Sequence, residues 1–135
     1  MGARLMGQQS NGAVEVLTAH IAEHDGIVVV TVAGEVDRMT PDSPLLKAAD
    51  AVRRLPAGVV VDLNGVTFFG SAGVNMLAAV WQQAEASAVP LAVVAGKRPV
   101  LMPLAISGVD VLLTLYPSLP DAFNALRAVP PPRQR

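Results

Sequence analysis

The residues best equipped for chemistry stand together in Phe69-Gly70-Ser71-Ala72-Gly73. They follow the apolar run Val59-Val60-Val61 and the segment Asp62-Leu63-Asn64-Gly65-Val66-Thr67-Phe68. A serine delivered by a buried strand to the start of a helix has three uses. Its Oγ can cap the helix, attack a substrate, or accept a phosphoryl group. Attack requires a base, and the only histidines, His20 and His24, come early in the chain with no acid–histidine pair in view. The G-x-S-x-G elbow of serine hydrolases is not reproduced either, because Gly70 directly precedes the serine. Gly65, Gly70 and Gly73 could present free amides to a phosphate, but a Walker lysine and a G-x-G-x-x-G run are absent. Tight turning and close helix packing account for the same glycines. His20 and His24 form an HxxxH spacing in a predicted strand end and loop, without the further ligands a metal site needs. No metal and no cofactor is expected. Asp37 reads as a turn carboxylate, Asp62 as a strand-end acid that orders the next residues through backbone amides, and Thr67 as structural.

The elements that must position Ser71 are legible from periodicity. Val14, Val16 and Thr18 alternate with Glu15 and Leu17, which predicts a first edge strand. Glu23-His24-Asp25-Gly26 supplies turn chemistry, and Ile27 to Val32 reads as a strand buried on both faces, paired with the first as a hairpin. Pro41 and Pro44 mark a helix start with Thr40 or Ser43 as cap, and Leu45, Ala48, Val52 and Leu55 form its apolar stripe. Val59 to Leu63 is the next strand. The helix after Ser71 places Val74, Leu77, Ala78, Trp81 and Ala88 on one face, with Trp81 as a core anchor. A strand at 91–95 follows, then a helix at 98–107 interrupted by Pro103 and closed by Gly108. A last strand is expected at 111–115. Ser118-Leu119-Pro120-Asp121 has capping-box spacing ahead of a final helix through Ala122, Phe123 and Leu126. Strands alternating with helices after a hairpin predict an α/β fold.

A chain of 135 residues with 52% apolar residues suits one domain with a covered sheet. A net charge of −1 without a basic run argues against direct DNA binding or an anionic membrane surface. The absence of cysteine excludes disulfides and thiolate chemistry and agrees with a cytoplasmic setting. No transmembrane segment or secretory signal is expected.

Three blocks resemble the STAS domain of anti-sigma-factor antagonists. They are Gly34-Glu35-Val36-Asp37; Val60 to Phe68 running into Gly70-Ser71-Ala72-Gly73; and Ser107-Gly108-Val109-Asp110 through Leu115-Tyr116-Pro117 to Ala122. The resemblance implies a STAS fold over residues 13–128: a mixed, mostly parallel sheet of about five strands with an N-terminal hairpin and about four helices. Residues 1–12 and the Pro/Arg tail 129–135 are expected to be flexible. It also implies a non-enzymatic protein that binds an anti-sigma factor of the serine-kinase type, frees a sigma factor for transcription, and is switched off when Ser71 is phosphorylated. A phosphatase would restore it. The implied contact residues are Asp37, Arg38, Gly70, Ser71, Ala72, Gly73 and Asn75. Two alternatives remain open: a STAS scaffold subunit of a stress-signalling or lipid-transport complex, and a small nucleotide-binding domain. This chain has Gly70 where the family often has Asp, and Ala72 where Ser or Thr is common.

Overall fold

A computed structural model describes residues 17–37 and 43–128. Val14, Val16, Arg38, Thr40, Pro41 and the two terminal segments lie outside the described residues. Strands β1 (Thr18–His24), β2 (Ile27–Val36), β3 (Gly58–Phe69), β4 (Leu91–Val94) and β5 (Leu115–Tyr116) form one sheet in sequence order. The β1–β2 pair is antiparallel and every later pair is parallel. Helices α1 (Pro44–Arg53), α2 (Ser71–Ser87) and α3 (Arg98–Ser107) make the crossovers, and α4 (Leu119–Ala128) follows β5.

The sheet divides two cores. Val30, Val32, Val59, Val61, Leu63 and Val93 pack against Leu45, Val52, Leu77, Val80 and Leu104, so α1, α2 and α3 share one face. Ile27, Val29, Val60, Ala92 and Val94 meet α4 on the other. This two-sided cover is why the valine runs do not alternate with polar residues. The hairpin turn is tighter than the sequence suggests: β1 continues through His24, leaving Asp25 (φ 56°) and Gly26 (φ 82°) as the two left-handed turn residues. His20 and His24 therefore stand in a strand, and His24 meets Phe123 edge-on at 5.9 Å. Arg127 lies over the same ring at 5.0 Å and reaches Asp25 at 3.5 Å, which ties α4 to the hairpin.

Other elements depart from the periodic reading. Leu55 falls beyond α1 at φ 54° and is exposed, so the α1 stripe ends at Val52. Ser43 precedes α1 and is buried, yet its side chain makes no cap hydrogen bond. In α2, Val80 and Ala84 are buried, Trp81 is half-buried against the core, and Ala88 is the exposed left-handed C-cap. Pro103 sits inside α3 without ending it. The expected strand at 111–115 is a 3-10 turn at Val109–Val111 followed by the two-residue β5. Ser118 does cap α4: its Oγ accepts the Asp121 N–H (3.4 Å) and donates to Asp121 Oδ2 (2.9 Å).

The strand leading to Ser71 is the main revision. It runs to Phe69, six residues past Leu63, and it does so by two irregularities in its pairing with β2. Thr31 pairs with Asp62 and Ala33 with Gly65; Gly34 pairs with Val66 and Glu35 with Phe68. At each step β3 takes one extra residue. A one-residue slip turns side chains to the opposite face. Two slips let Leu63, Val66 and Phe69 all enter the same core despite their spacing of three.

Candidate functional site

The site forms where the carboxyl ends of β2 and β3 lie side by side. Val36 pairs with Phe69, and the Gly70 N–H donates to the Val36 carbonyl at 2.7 Å. That bond brings Asp37, the next residue of β2's exit, against Gly70: a Cβ at position 70 would lie 3.4 Å from Asp37 Cα. Gly70 is the N-cap of α2 in an extended conformation, and Ser71 is the first helical residue. Ser71 is thus not the cap, and no side chain caps this helix. Its hydroxyl stands exposed at the positive end of a 17-residue helix.

Asn75, one turn on, is exposed like Ser71, while Ala72 is half-buried and Gly73 is buried. Gly73 is where α2 touches the sheet. A Cβ there would stand 2.8 Å from Phe69 Cε1 and 2.9 Å from Val36 Cγ1. Asp37 is exposed, and Thr67 is exposed on β3. Asp62 stands within β3 rather than at a strand end, and its Oδ1 accepts the Asn64 N–H at 3.0 Å beside the first irregularity.

Residues that sequence reasoning passed over complete the surroundings. Asn64, at the first irregularity of β3, accepts the Gly96 N–H (2.8 Å) through Oδ1 and donates from Nδ2 to the Pro117 carbonyl (3.0 Å). One side chain therefore ties the middle of β3 to the exits of β4 and β5. Ser71, Val74 and Asn75 from α2 and Met102, Pro103, Ile106 and Ser107 from α3 enclose an open groove of about 410 Å3. No charged residue lines it. Met102 is 42% exposed, Ile106 79% and Phe68 51%. The available signal was a large apolar residue at a position that breaks strand or helix periodicity, as Phe68 does between Thr67 and Phe69.

Chemically this is an accessible hydroxyl at the N-terminus of a helix. Among the described residues, no group of three or more His, Asp or Glu could hold a metal ion. No described helix is long and apolar enough to cross a membrane.

The STAS domain family model matches residues 18–122. The anti-sigma-F factor antagonist RsfB of Mycobacterium tuberculosis is 31% identical over 115 residues, covering 85% of this chain and 93% of that protein. The crystal structure of an anti-sigma factor antagonist from Mycobacterium paratuberculosis superposes with a TM-score of 0.76 at 34% identity, covering 83% of this chain and 95% of that one. SpoIIAA of Bacillus in its phosphorylated form shares the fold at a TM-score of 0.63 and 16% identity, covering 82% of this chain and 100% of that one.

Proposed function

The chain belongs to the STAS domain family, and from that membership we propose that it is an anti-sigma-factor antagonist whose switch is Ser71. Its partner is an anti-sigma factor of the serine-kinase type, met in the cytoplasm. In the unphosphorylated state the antagonist occupies that kinase and a sigma factor is released for transcription. Phosphorylation of Ser71 dissolves the complex, and a phosphatase resets it. The protein is a substrate of chemistry rather than its agent.

The observation that carries this reading is the placement of the Ser71 hydroxyl. It is exposed, it is not used as a cap, and it stands on the first turn of α2 between the Asp37 loop and a groove without charges. A phosphoserine adds about −1.5 to −2 charges there. The helix N-terminus tolerates that charge within its own domain. A partner surface packed against it does not, because the phosphate must be desolvated or repelled. The similarity to proteins named anti-sigma-F factor antagonists over nearly their full length supports the same partner class. Contact residues under this reading are Asp37, Arg38, Gly70, Ser71, Ala72, Gly73 and Asn75.

The test begins with capture of the cognate partner on the purified wild-type chain and its identification by mass spectrometry. The captured anti-sigma factor, purified and given ATP and Mg2+, should place one phosphate on wild type and none on Ser71→Ala. Equal incorporation in both proteins removes Ser71 from the switch. A stable complex that ATP leaves intact would identify a scaffold instead.

A further inference from the structure

Phe68 is the largest side chain left exposed next to Ser71, and the backbone at Gly70 explains how it comes to lie there. A Cβ on Gly70 would stand 3.1 Å from Phe68 Cε2, so the ring occupies the space that any side chain at position 70 would enter. The extended backbone of Gly70 (φ −86°, ψ −178°) is open to other residues, so glycine's use here is this empty space rather than a special dihedral. The second irregularity of β3 turns Phe69 into the core and leaves Phe68 half in solvent. On the other side of Ser71, Met102 and Ile106 expose apolar surface along the groove that Ser71 itself lines.

We propose that Phe68 is an aromatic anchor for the anti-sigma factor at the Ser71 site, and that Gly70 is a positioning residue that seats its ring; this rests on the function proposed above. The partner surface it fits offers an apolar pocket with a basic rim, because the half-exposed ring is paired with exposed Glu35 across the strands and shares the space over Gly70 with exposed Asp37. Large, rigid aromatic side chains at the centre of an interface bury much area at little entropic cost. The arrangement also sharpens the switch. A phosphate on Ser71 would place its charge within an apolar contact, where desolvation is most costly.

The experiment is titration calorimetry of the purified anti-sigma factor with wild type, Phe68→Ala, Phe68→Leu, Gly70→Ala and the Phe68→Ala/Gly70→Ala double variant. Thermal melts serve as the folding control, and sedimentation reports self-association. Phe68→Ala should weaken binding about tenfold or more, as truncation of an interface anchor does, while Phe68→Leu retains most of the affinity. Gly70→Ala should weaken binding several-fold on its own and add nothing in the Phe68→Ala background, since it acts through the ring. Binding by folded Phe68→Ala within about twofold of wild type overturns the anchor. Additive effects of the two substitutions overturn the positioning role of Gly70. A wild-type dimer that Phe68→Ala converts to monomer assigns the surface to a second copy and overturns the proposal. Failure of wild type to bind any anti-sigma factor overturns the function itself, a result distinguishable from loss confined to Phe68.

Discussion

Ser71 illustrates how a residue's place can be legible in sequence while the choice among its local uses is not. Its position at a strand-to-helix junction follows from sequence, and capping is the ordinary use of serine there. The structure gives the cap to Gly70 and leaves the Ser71 hydroxyl exposed. Which residue caps a helix depends on where β3 ends, and β3 runs six residues past Leu63 through two slips in its pairing. The consequence is measurable. Ser71→Glu places a charge at the first helical position, worth about 0.3–1 kcal/mol of stabilisation to the free domain. The same charge in the proposed interface should weaken binding by one to two orders of magnitude, about 1.4–2.8 kcal/mol. Calorimetry against the anti-sigma factor checks the second number, and a denaturant melt of the free protein checks the first. Asp62 was legible at this scale because a carboxylate two residues before an amide has one short-range use, and its Oδ1 does accept the Asn64 N–H.

At the scale of elements, β3 and α2 meet through contacts that the sequence expresses only as glycine and asparagine. Gly73 lies in a helix, where alanine is favoured by about 0.8–1 kcal/mol. A Cβ there would press into Phe69 and Val36 at under 3 Å, both of them buried. Overpacking of that kind costs about 1–3 kcal/mol. Gly73→Ala should therefore lower stability by up to about 2 kcal/mol; a rise in melting temperature would show that the helix–sheet contact is loose. Asn64 is the comparable case between strands. Asn64→Ala removes the partners of the Gly96 N–H and the Pro117 carbonyl. Since water can reach both, the expected loss is about 1 kcal/mol. Asn64→Asp keeps an acceptor for Gly96 but removes the donor to Pro117, and it should not restore wild-type stability in urea melts. The Ser118–Asp121 cap was legible because both partners lie within one turn. The Asn64 ties span 32 and 53 residues and carry no local signature.

At the scale of the molecule, the Ser71 site lies at the carboxyl ends of β2 and β3, away from the contacts that hold α4. Phe123 and Arg127 fasten α4 to the hairpin turn through His24 and Asp25, and α4 covers one face of the sheet without another helix beside it. Phe123→Ala should accordingly destabilise the fold by about 2–4 kcal/mol, at or below the usual cost of truncating a buried aromatic because this ring is only half-buried. It should leave the stoichiometry of phosphate on Ser71 unchanged in the fraction that remains folded, as read by mass spectrometry. The sequence by itself determined the alternation of strands and helices, the two-faced burial of the valine strands, and the three blocks that resemble the STAS family. These are local patterns, or simple inventories of residue types. The tertiary structure alone decided that β3 slips twice against β2, that Gly70 rather than Ser71 caps α2, and that Phe68 lies across Gly70. Each of those depends on a neighbouring strand or helix distant in sequence, because pairing register and the space around a side chain are properties of two elements in contact and not of either one alone.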